Sequence, residues 1–251
     1  MADSGTSSGG TQGALQLSPL LQAQGAPTSG NLTSAPGTLV IGTQSAPATP
    51  LETGPDGRPL TWAGATDAAS LGTVVNWAVA QYNYAHDAQR MTFTNPFPSA
   101  FVPLAQDAFN EWASLANIKP VQVGDVAQFP PQEPDIRIGL STLASPGSPM
   151  VGTSFLQYAA TDKFGPDNLV AVEDPNQMPV VALSNGDFQY EGYETTVFQS
   201  LLQQTGHALG LAANPDDPHS IMYPTLTSLN RLPDIEDVRA IQALYGPPAT
   251  G

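Results

Sequence analysis

The sequence predicts an α+β domain in which a β-sheet packs against helices, and three features of the chain indicate this class. Apolar residues recur at helical spacing over residues 101–115 and 193–211. Several shorter stretches alternate apolar and polar residues with period two, as half-buried strands do. Helix, strands, helix, loop and helix follow one another along the chain, which is an order typical of α+β domains.

The N-terminal quarter of the chain differs from the rest in composition. Residues 1–59 are rich in Gly, Pro, Ser, Thr and Ala and carry few charges. Such a segment buries too little apolar surface to offset its chain entropy, which predicts a flexible or extended tail. Its short apolar pieces "LQLSPLLQ" and "TLVIGT" leave a docking arm as the alternative. The folded domain is predicted over residues 60–251.

The first elements of this domain are predicted as helix, strand and helix. Residues 71–82 show helical spacing and residues 90–97, "RMTFTNPF", read as a short strand. Residues 101–115 then form a second helix, with Pro103 in its first turn. The apolar stripe of this second helix consists of Phe101, Leu104, Ala105, Ala108, Phe109, Trp112 and Leu115.

Four further strands and a closing helix complete the prediction. The strands are "IKPVQVGD", "PDIRIGLS", "MVGTSFLQYA" and "MPVVALSNGD", and a Pro-, Asp- and Asn-rich insertion over residues 160–177 separates the last two. The closing helix follows Leu232, with Pro233 in its first turn. Its predicted buried stripe is Ile235, Val238, Ile241 and Leu244.

The helix predicted over residues 193–211 has an unusual polar face. Its core face consists of Val197, Phe198, Leu201, Leu202, Thr205, Ala208 and Leu209. Its opposite face consists of Thr196, Gln199, Ser200, Gln203, Gln204, His207 and Gly210. An exposed helix face normally collects charged side chains, and this one has none besides His207. We therefore expect this face to be covered by another segment or to line a cleft.

Charge and cysteine content exclude several classes of function. The formal net charge is -15, with 7 basic residues, which argues against nucleic acid or an anionic membrane surface as a partner. The chain has no cysteine, which excludes disulfides, thiolate metal sites and a cysteine nucleophile. The N-terminus shows no Sec-type signal peptide, and no apolar run predicts a transmembrane segment, so the compartment stays open.

One stretch carries a family resemblance. "GYETTVFQSLLQQTGHALGLAANPDDPHSIMYPT" resembles the active-site region of the metzincin zinc metallopeptidases, especially the matrixin and serralysin branches. That family has the helix motif H-E-x-x-H-x-x-G-x-x-H followed by a methionine turn. The resemblance implies a zincin-like fold, with a twisted, mostly parallel sheet, an antiparallel edge strand and two long helices. In this chain the Met-turn would be Ser220–Pro224, and a C-terminal helix would follow it.

Placed on this chain, the motif is degenerate. His207, Gly210 and Met222 match it, whereas Gln203, Gln204 and Ala213 replace the first histidine, the general-base glutamate and the third histidine. These six residues would form a vestigial cleft with no catalytic residue and no zinc, in which His207 hydrogen-bonds a backbone carbonyl near Met222. The resemblance then implies an inactive pseudoenzyme, a binding or structural module within a larger assembly. Its partner would be a protein or peptide, bound along the edge strand at residues 150–159 or by the N-terminal tail.

Two other functions stay open at this point. His207 and His219, with Asp216 or Asp217, could rebuild a zinc site for an active metalloendopeptidase. Alternatively, the uncharged cleft could bind a small molecule or a glycan. The loops "TDKFGPDN" and "VEDPNQ" contain oxygen ligands that would suit calcium, and His86 is read as a surface residue.

Overall fold

The protein is described from a computed structural model, which covers residues 48–63, 72–83, 90–125, 134–145, 150–160 and 162–249. It is a mixed α+β structure with a mostly parallel central sheet and few helices. The strands are β1 (Thr73–Val79), β2 (Ile118–Gln122), β3 (Ile136–Ser141), β4 (Gly152–Phe155), β5 (Tyr158–Ala160), β6 (Lys163–Phe164), β7 (Asn168–Glu173), β8 (Val180–Ala182) and β9 (Phe188–Tyr190). The helices are α1 (Val102–Leu115), α2 (Val197–Ala208) and α3 (Ile235–Tyr245).

The central sheet has five strands in the order β2-β1-β3-β7-β4. The first four strands are parallel, and β4 runs antiparallel to β7 at the edge. Strands β5 and β6, and strands β8 and β9, form two small antiparallel pairs. Within the described residues, β4 therefore has one side without a strand partner.

The main hydrophobic core lies between one face of the sheet and the helices. Trp77 of β1 stacks on Phe109 of α1 with ring centroids 5.0 Å apart. Trp112 of α1 donates its indole N–H to the Leu202 carbonyl of α2 at 3.0 Å. The two helices are thereby fixed to each other as well as to the sheet.

A smaller core covers the opposite face of the sheet. Phe93 lies against β3 at Gly139, where a Cβ atom would come within 2.4 Å of its ring. This packing explains why every residue of β3 is buried, although the sequence predicted a half-buried strand. The segment that carries Phe93, residues 90–97, forms no strand, so that prediction was wrong. Thr94 donates its N–H to the Leu140 carbonyl at 2.9 Å, but no ladder develops.

Two segments that were not predicted as strands belong to the central sheet. The stretch 71–82 is not a helix, because its residues 73–79 form β1 between β2 and β3. The insertion 160–177 contains β7, a fully buried strand between β3 and β4 in the sheet. Its run "NLVAVE" has no polar alternation because parallel strands are covered on both faces. The stretch predicted as one strand over residues 150–159 is divided between β4 and β5.

The helix predicted at 101–115 is confirmed, the one predicted at 193–211 is present but shorter, at Val197–Ala208, and the closing helix is corrected in detail. Pro103 does lie in the first turn of α1. Pro233, in contrast, precedes the N-cap of α3, which is Asp234. Ile235 is 59% exposed, and the buried side of α3 carries Glu236, Asp237, Ala240, Ile241 and Tyr245. The helix is thus rotated relative to its apolar stripe.

Residues 48–62, named the strap below, pack against the end of α2. Glu52 donates its N–H to the Gly210 carbonyl at 2.8 Å, and Ala212 donates to the Pro50 carbonyl at 2.9 Å. The Trp62 indole N–H reaches the Ala208 carbonyl at 2.8 Å. The predicted domain boundary near residue 59 falls inside this strap, and residues 1–47 of the predicted tail lie outside the described residues.

Candidate functional site

Helix α2 presents the polar face that the sequence singled out. The Thr196 side chain caps its N-terminus by accepting the Gln199 N–H at 3.1 Å, and Asp187 accepts the Phe198 N–H at the same distance. Gln199, Ser200, Gln203 and Gln204 are nevertheless all buried. The prediction that another segment covers this face is confirmed.

The cover is the segment 221–230, named the wall loop below. The Gln203 amide donates to the carbonyls of Ile221 at 3.2 Å and Tyr223 at 2.6 Å. The Gln199 amide donates to the carbonyls of Thr227 at 2.7 Å and Asn230 at 3.0 Å. Two glutamine side chains, one helical turn apart, therefore hold the wall loop against α2.

Gln204 lies deeper, between α2 and the edge of the sheet. Its amide donates to the Gln203 side-chain oxygen at 3.0 Å. A Cβ atom on Gly152 would lie 2.6 Å from the Ser200 hydroxyl and 2.7 Å from Gln204 Cγ, so β4 approaches the helix too closely for any other residue there. The Ser200 hydroxyl also donates to the Val151 carbonyl at 2.7 Å. These contacts fix the edge strand to the polar face of α2.

His207 is half-buried and makes the backbone contact expected for a structural histidine. Its Nδ1 lies 2.8 Å from the Leu211 carbonyl oxygen and 3.2 Å from Glu52 Oε1 in the strap. Because a carbonyl oxygen only accepts hydrogen bonds, the proton lies on Nδ1. In the neutral form of this ring, Nε2 carries the lone pair and is the nitrogen that could act as a metal ligand.

The chain leaves α2 through a tight turn at Gly210. Its φ of 107° is a left-handed conformation, and a Cβ atom there would lie 2.6 Å from the Leu60 carbonyl oxygen of the strap. Ala213 follows and is exposed, offering no ligand atom besides its backbone. Met222 is fully buried, and its sulfur would lie 2.8 Å from a Cβ atom on Gly206. The structure thus places Gln203, Gln204, His207 and Met222 on or against α2, and Ala213 at the surface beyond it.

Asp237 is a site residue that the sequence reasoning missed. Its buried carboxylate accepts hydrogen bonds from the hydroxyls of Thr49 and Ser220, both at 2.6 Å, and from the Ile221 N–H at 2.9 Å. It also accepts the Asp234 N–H at 3.0 Å, which completes a capping box. One carboxylate therefore joins the strap, the Met-turn and α3. The sequence signal that was available is the pair of acidic residues at the N-cap and N3 positions of α3, Asp234 and Asp237, which is typical of a capping box.

A cleft of about 260 Å³ opens beside the Gln203 side chain. Its lining is uncharged and consists of Met150, Val151, Gly152, Tyr193, Thr195, Gln203, Pro224, Thr225 and Leu226. Edge strand β4 contributes one side of this cleft and the wall loop the other. Of the six residues predicted for a vestigial cleft, Gln203 belongs to this lining, whereas Gln204 and His207 do not.

Among the residues that the structure describes, no strand pairs with the outer side of β4. The Glu173 N–H donates to the Val151 carbonyl at 3.0 Å, which makes these residues a hydrogen-bonded pair. Pairs alternate along an antiparallel ladder, so Thr153 and Phe155 also bond to β7. Gly152 and Ser154 then direct their N–H and C=O groups away from β7, towards the cleft side.

The candidate metal ligands are not gathered into one site. Within the residues that the structure describes, no group of three or more His, Asp or Glu side chains could hold a metal ion. His219 is exposed, and its N–H donates to Asp217 at 2.9 Å. His86 lies outside the described ranges.

In each of the two loops considered for calcium, one carboxylate is bound by other side chains of the protein. Asp167 binds Arg90 at 2.6 Å. Asp174 accepts hydrogen bonds from Thr94, Asn95 and Asn176, which lower its pKa although burial acts to raise it. Carboxylates that are satisfied in this way are poor candidates for a calcium site.

Comparison with known proteins returned no match, either to a protein-family model or to a curated protein. In the described part of the chain, no helix has the length and apolar character needed to cross a membrane. The functional interpretation therefore depends on the motif in α2 and on the geometry of the cleft.

Proposed function

We propose that this chain is a metzincin-like domain without catalytic activity, whose cleft binds an extended peptide segment. One observation carries the proposal. Gln203, which stands where the resemblance places the first zinc-binding histidine, uses its amide to hold the Met-turn and the wall loop. The position has a structural role that needs no metal, and it leaves the cleft beside it open.

The architecture supports the resemblance. A mostly parallel sheet with an antiparallel edge strand, two helices against one face, and a C-terminal helix after a buried methionine are what the family would show. These features extend the likeness from the motif in α2 to the chain from residue 73 to residue 245. They support the fold assignment, whereas function has to be argued from the site.

The chemistry of the site argues against hydrolysis. A glutamine amide cannot accept a proton near neutral pH, so Gln204 cannot serve as the general base. A catalytic zinc needs three protein ligands and an open position, and Ala213 provides no ligand side chain. Gln203 directs its amide nitrogen at two carbonyl groups. The residues present therefore do not fit a catalytic zinc ion.

The edge strand supports peptide binding. A segment that pairs with the outward N–H and C=O groups of Gly152 and Ser154 would extend the sheet by one strand. Its side chains would alternate, and those facing the cleft would meet Met150, Tyr193 and Leu226. Backbone pairing would supply affinity, and the apolar lining would select the anchor side chain.

Peptide binding is tested by nuclear magnetic resonance on the ¹⁵N-labelled full chain. The probe is a short, uncharged, Thr- and Val-rich peptide with one central leucine. We expect the amide resonances of Gly152 and Ser154 to shift in a saturable way, with smaller changes in β2 at the opposite edge. The absence of any saturable shift at β4 would contradict the proposed function.

The fold assignment is tested by restoring the motif. The triple variant Gln203→His, Gln204→Glu, Ala213→His should bind about one zinc ion per chain, because its three histidines would recreate a tetrahedral site. Its control also carries His207→Ala and should lose the zinc. If the triple variant is folded by circular dichroism and retains no zinc after dialysis, the metzincin-like arrangement is wrong.

A further inference from the structure

The segment that builds most of the cleft has no lysine or arginine over a long stretch. Neither residue occurs between Lys163 and Arg231, a stretch that covers β7, β8, β9, α2 and the whole wall loop. The same stretch contains the carboxylates Asp167, Glu173, Asp174, Asp187, Glu191, Glu194, Asp216 and Asp217. The excess of acidic over basic residues is therefore more pronounced in this stretch than in the chain as a whole, which has a formal net charge of -15.

Two of these carboxylates lie within two residues of Tyr193, which lines the cleft. Glu191 and Glu194 are exposed and flank Tyr193, which lines the cleft together with Thr195. The Ser228 N–H in the wall loop donates to Glu194 at 3.1 Å. Hydrogen bonds from Ser228, together with the charge of Arg231, lower the pKa of Glu194, so this carboxylate is ionised at neutral pH.

The cleft itself offers apolar contact and no charge. Met150 and Tyr193 are 48% and 40% exposed, and both line the cleft. A charged side chain would be poorly accommodated between them, because burying it without a partner is costly. Charges on a bound segment would therefore lie outside the lining, next to the exposed carboxylates.

We propose that the peptide segment bound along β4 is basic, with lysine or arginine residues on either side of an apolar anchor. This inference rests on the proposed function and specifies the partner of the same cleft. The anchor side chain enters the lining, and the flanking cations face Glu191 and Glu194. An acidic segment of the same shape is repelled, because its charges have the same sign as those of Glu191 and Glu194, whereas opposite charges favour association.

The test uses three peptides with the same Thr- and Val-rich sequence and central leucine, flanked by lysine, serine or glutamate. Affinities are measured by the shifts of Gly152 and Ser154. At about 0.05 M salt we expect the lysine peptide to bind about tenfold more tightly than the serine peptide, and the glutamate peptide to bind least. The ratio of the lysine-peptide affinity to the serine-peptide affinity should fall towards about twofold at about 0.5 M salt, since exposed charges are screened.

A pair of matched variants locates the effect. Glu191→Gln should reduce the advantage of the lysine peptide over the serine peptide by about threefold. Asp107→Asn, the same loss of charge on the exposed side of α1, should leave that ratio unchanged. Equal effects from the two variants would assign the preference to net charge and overturn the site-specific inference.

The outcomes separate this inference from the proposed function. If the serine peptide binds at β4 and the lysine peptide binds no better, the basic partner is refuted while the peptide-binding cleft stands. If none of the three peptides shifts Gly152 or Ser154, both are refuted.

Discussion

The middle of α2 and its C-terminal end are held in place by different kinds of contact. Near its middle, the side-chain amides of Gln199 and Gln203 hold the wall loop. At its C-terminal end, the strap is held by backbone hydrogen bonds at residues 50 and 52 and by its close approach to Gly210. Side-chain amides can be exchanged for metal ligands without moving the backbone, whereas the strap contacts depend on the backbone path itself. The cleft end can therefore change its chemistry while the strap end maintains the fold.

The largest effect should come from removing the strap. A chain beginning at residue 60 loses the pairing of Pro50 and Glu52 and leaves the Asp237 carboxylate without the Thr49 hydroxyl. Since lost donors to a buried carboxylate and lost backbone pairing each cost about 1 to 3 kcal/mol, we expect its free energy of unfolding to fall by about 4 kcal/mol. Urea denaturation compares it with a chain beginning at residue 48. Equal stability of the two chains would show that the strap contributes nothing to the domain.

The turn at Gly210 should be the next most sensitive position. Gly210→Ala forces a side chain into a left-handed conformation and places its Cβ atom against the Leu60 carbonyl, so we expect a loss of about 3 kcal/mol. Gly186→Ala is the matched control, because Gly186 has a φ of 87° but no atom within 4 Å of an added Cβ. That control should lose only about 1 kcal/mol. Thermal or urea unfolding that gave both variants the same loss would rule out the close contact with the strap.

At the cleft end, two adjacent glutamines should differ in effect. Gln203→Met leaves the Ile221 and Tyr223 carbonyls without a donor and should cost about 2 kcal/mol. Gln204→Met removes a single hydrogen bond to Gln203 and should cost about 1 kcal/mol or less. Hydrogen exchange should show faster opening of the wall loop in the first variant alone. Equal exchange rates of the wall-loop amides in the two variants would contradict the role of Gln203 in holding this loop.

The smallest effect concerns the pH dependence of stability. Burial, together with the charges of Asp237 and Asp217, raises the pKa of Asp234 to about 6. The folded state then holds this proton more tightly than the unfolded state, so the stabilisation is present at acidic pH and is lost as the pH rises through about 6. Water around the half-exposed carboxyl group limits the contribution to about 1 kcal/mol.

The variant Asp234→Asn tests this contribution while keeping the cap. Asparagine is an equally good N-cap residue, and its side-chain oxygen can still accept the N–H groups of Glu236 and Asp237. The variant should therefore be more stable than the parent at pH 7.5, by about 1 kcal/mol, and the difference should shrink to about half at pH 5, midway between the usual pKa of this carboxyl group and its raised value of about 6. Urea denaturation at both pH values is the measurement. A variant that is less stable than the parent at pH 7.5 would show that burial and the charges of Asp237 and Asp217 do not destabilise the ionised Asp234 side chain.

The sequence determined those elements whose surroundings are uniform along their length. Helix α1 has one face in the core and one in solvent, so its stripe of Leu104, Ala105, Ala108, Phe109 and Trp112 could be predicted from the 3.6-residue period. The uncharged face of α2 likewise indicated that another segment covers it. Neither prediction required knowledge of a distant part of the chain.

Tertiary contacts decided the conformation of the segments that the sequence did not predict correctly. Strand β1 was predicted as a helix because its apolar residues also fit a helical period, although the β-branched run Thr73–Val75 favoured a strand. Strand β7 had no alternation because both of its faces are covered. In both cases the neighbouring strands select the conformation, and the local sequence does not contain them.

The candidate site divides in the same way. The sequence by itself identified Gln203, Gln204, His207, Ala213 and Met222, since a motif is a pattern of local spacing. Only the tertiary structure brought in the strap, the wall loop and Asp237, which joins segments from residue 49 to residue 237. A buried carboxylate needs hydrogen-bond donors from wherever the chain can supply them. Asp237 therefore faces inward on α3 and Ile235 faces solvent, against the order that hydrophobicity alone would give.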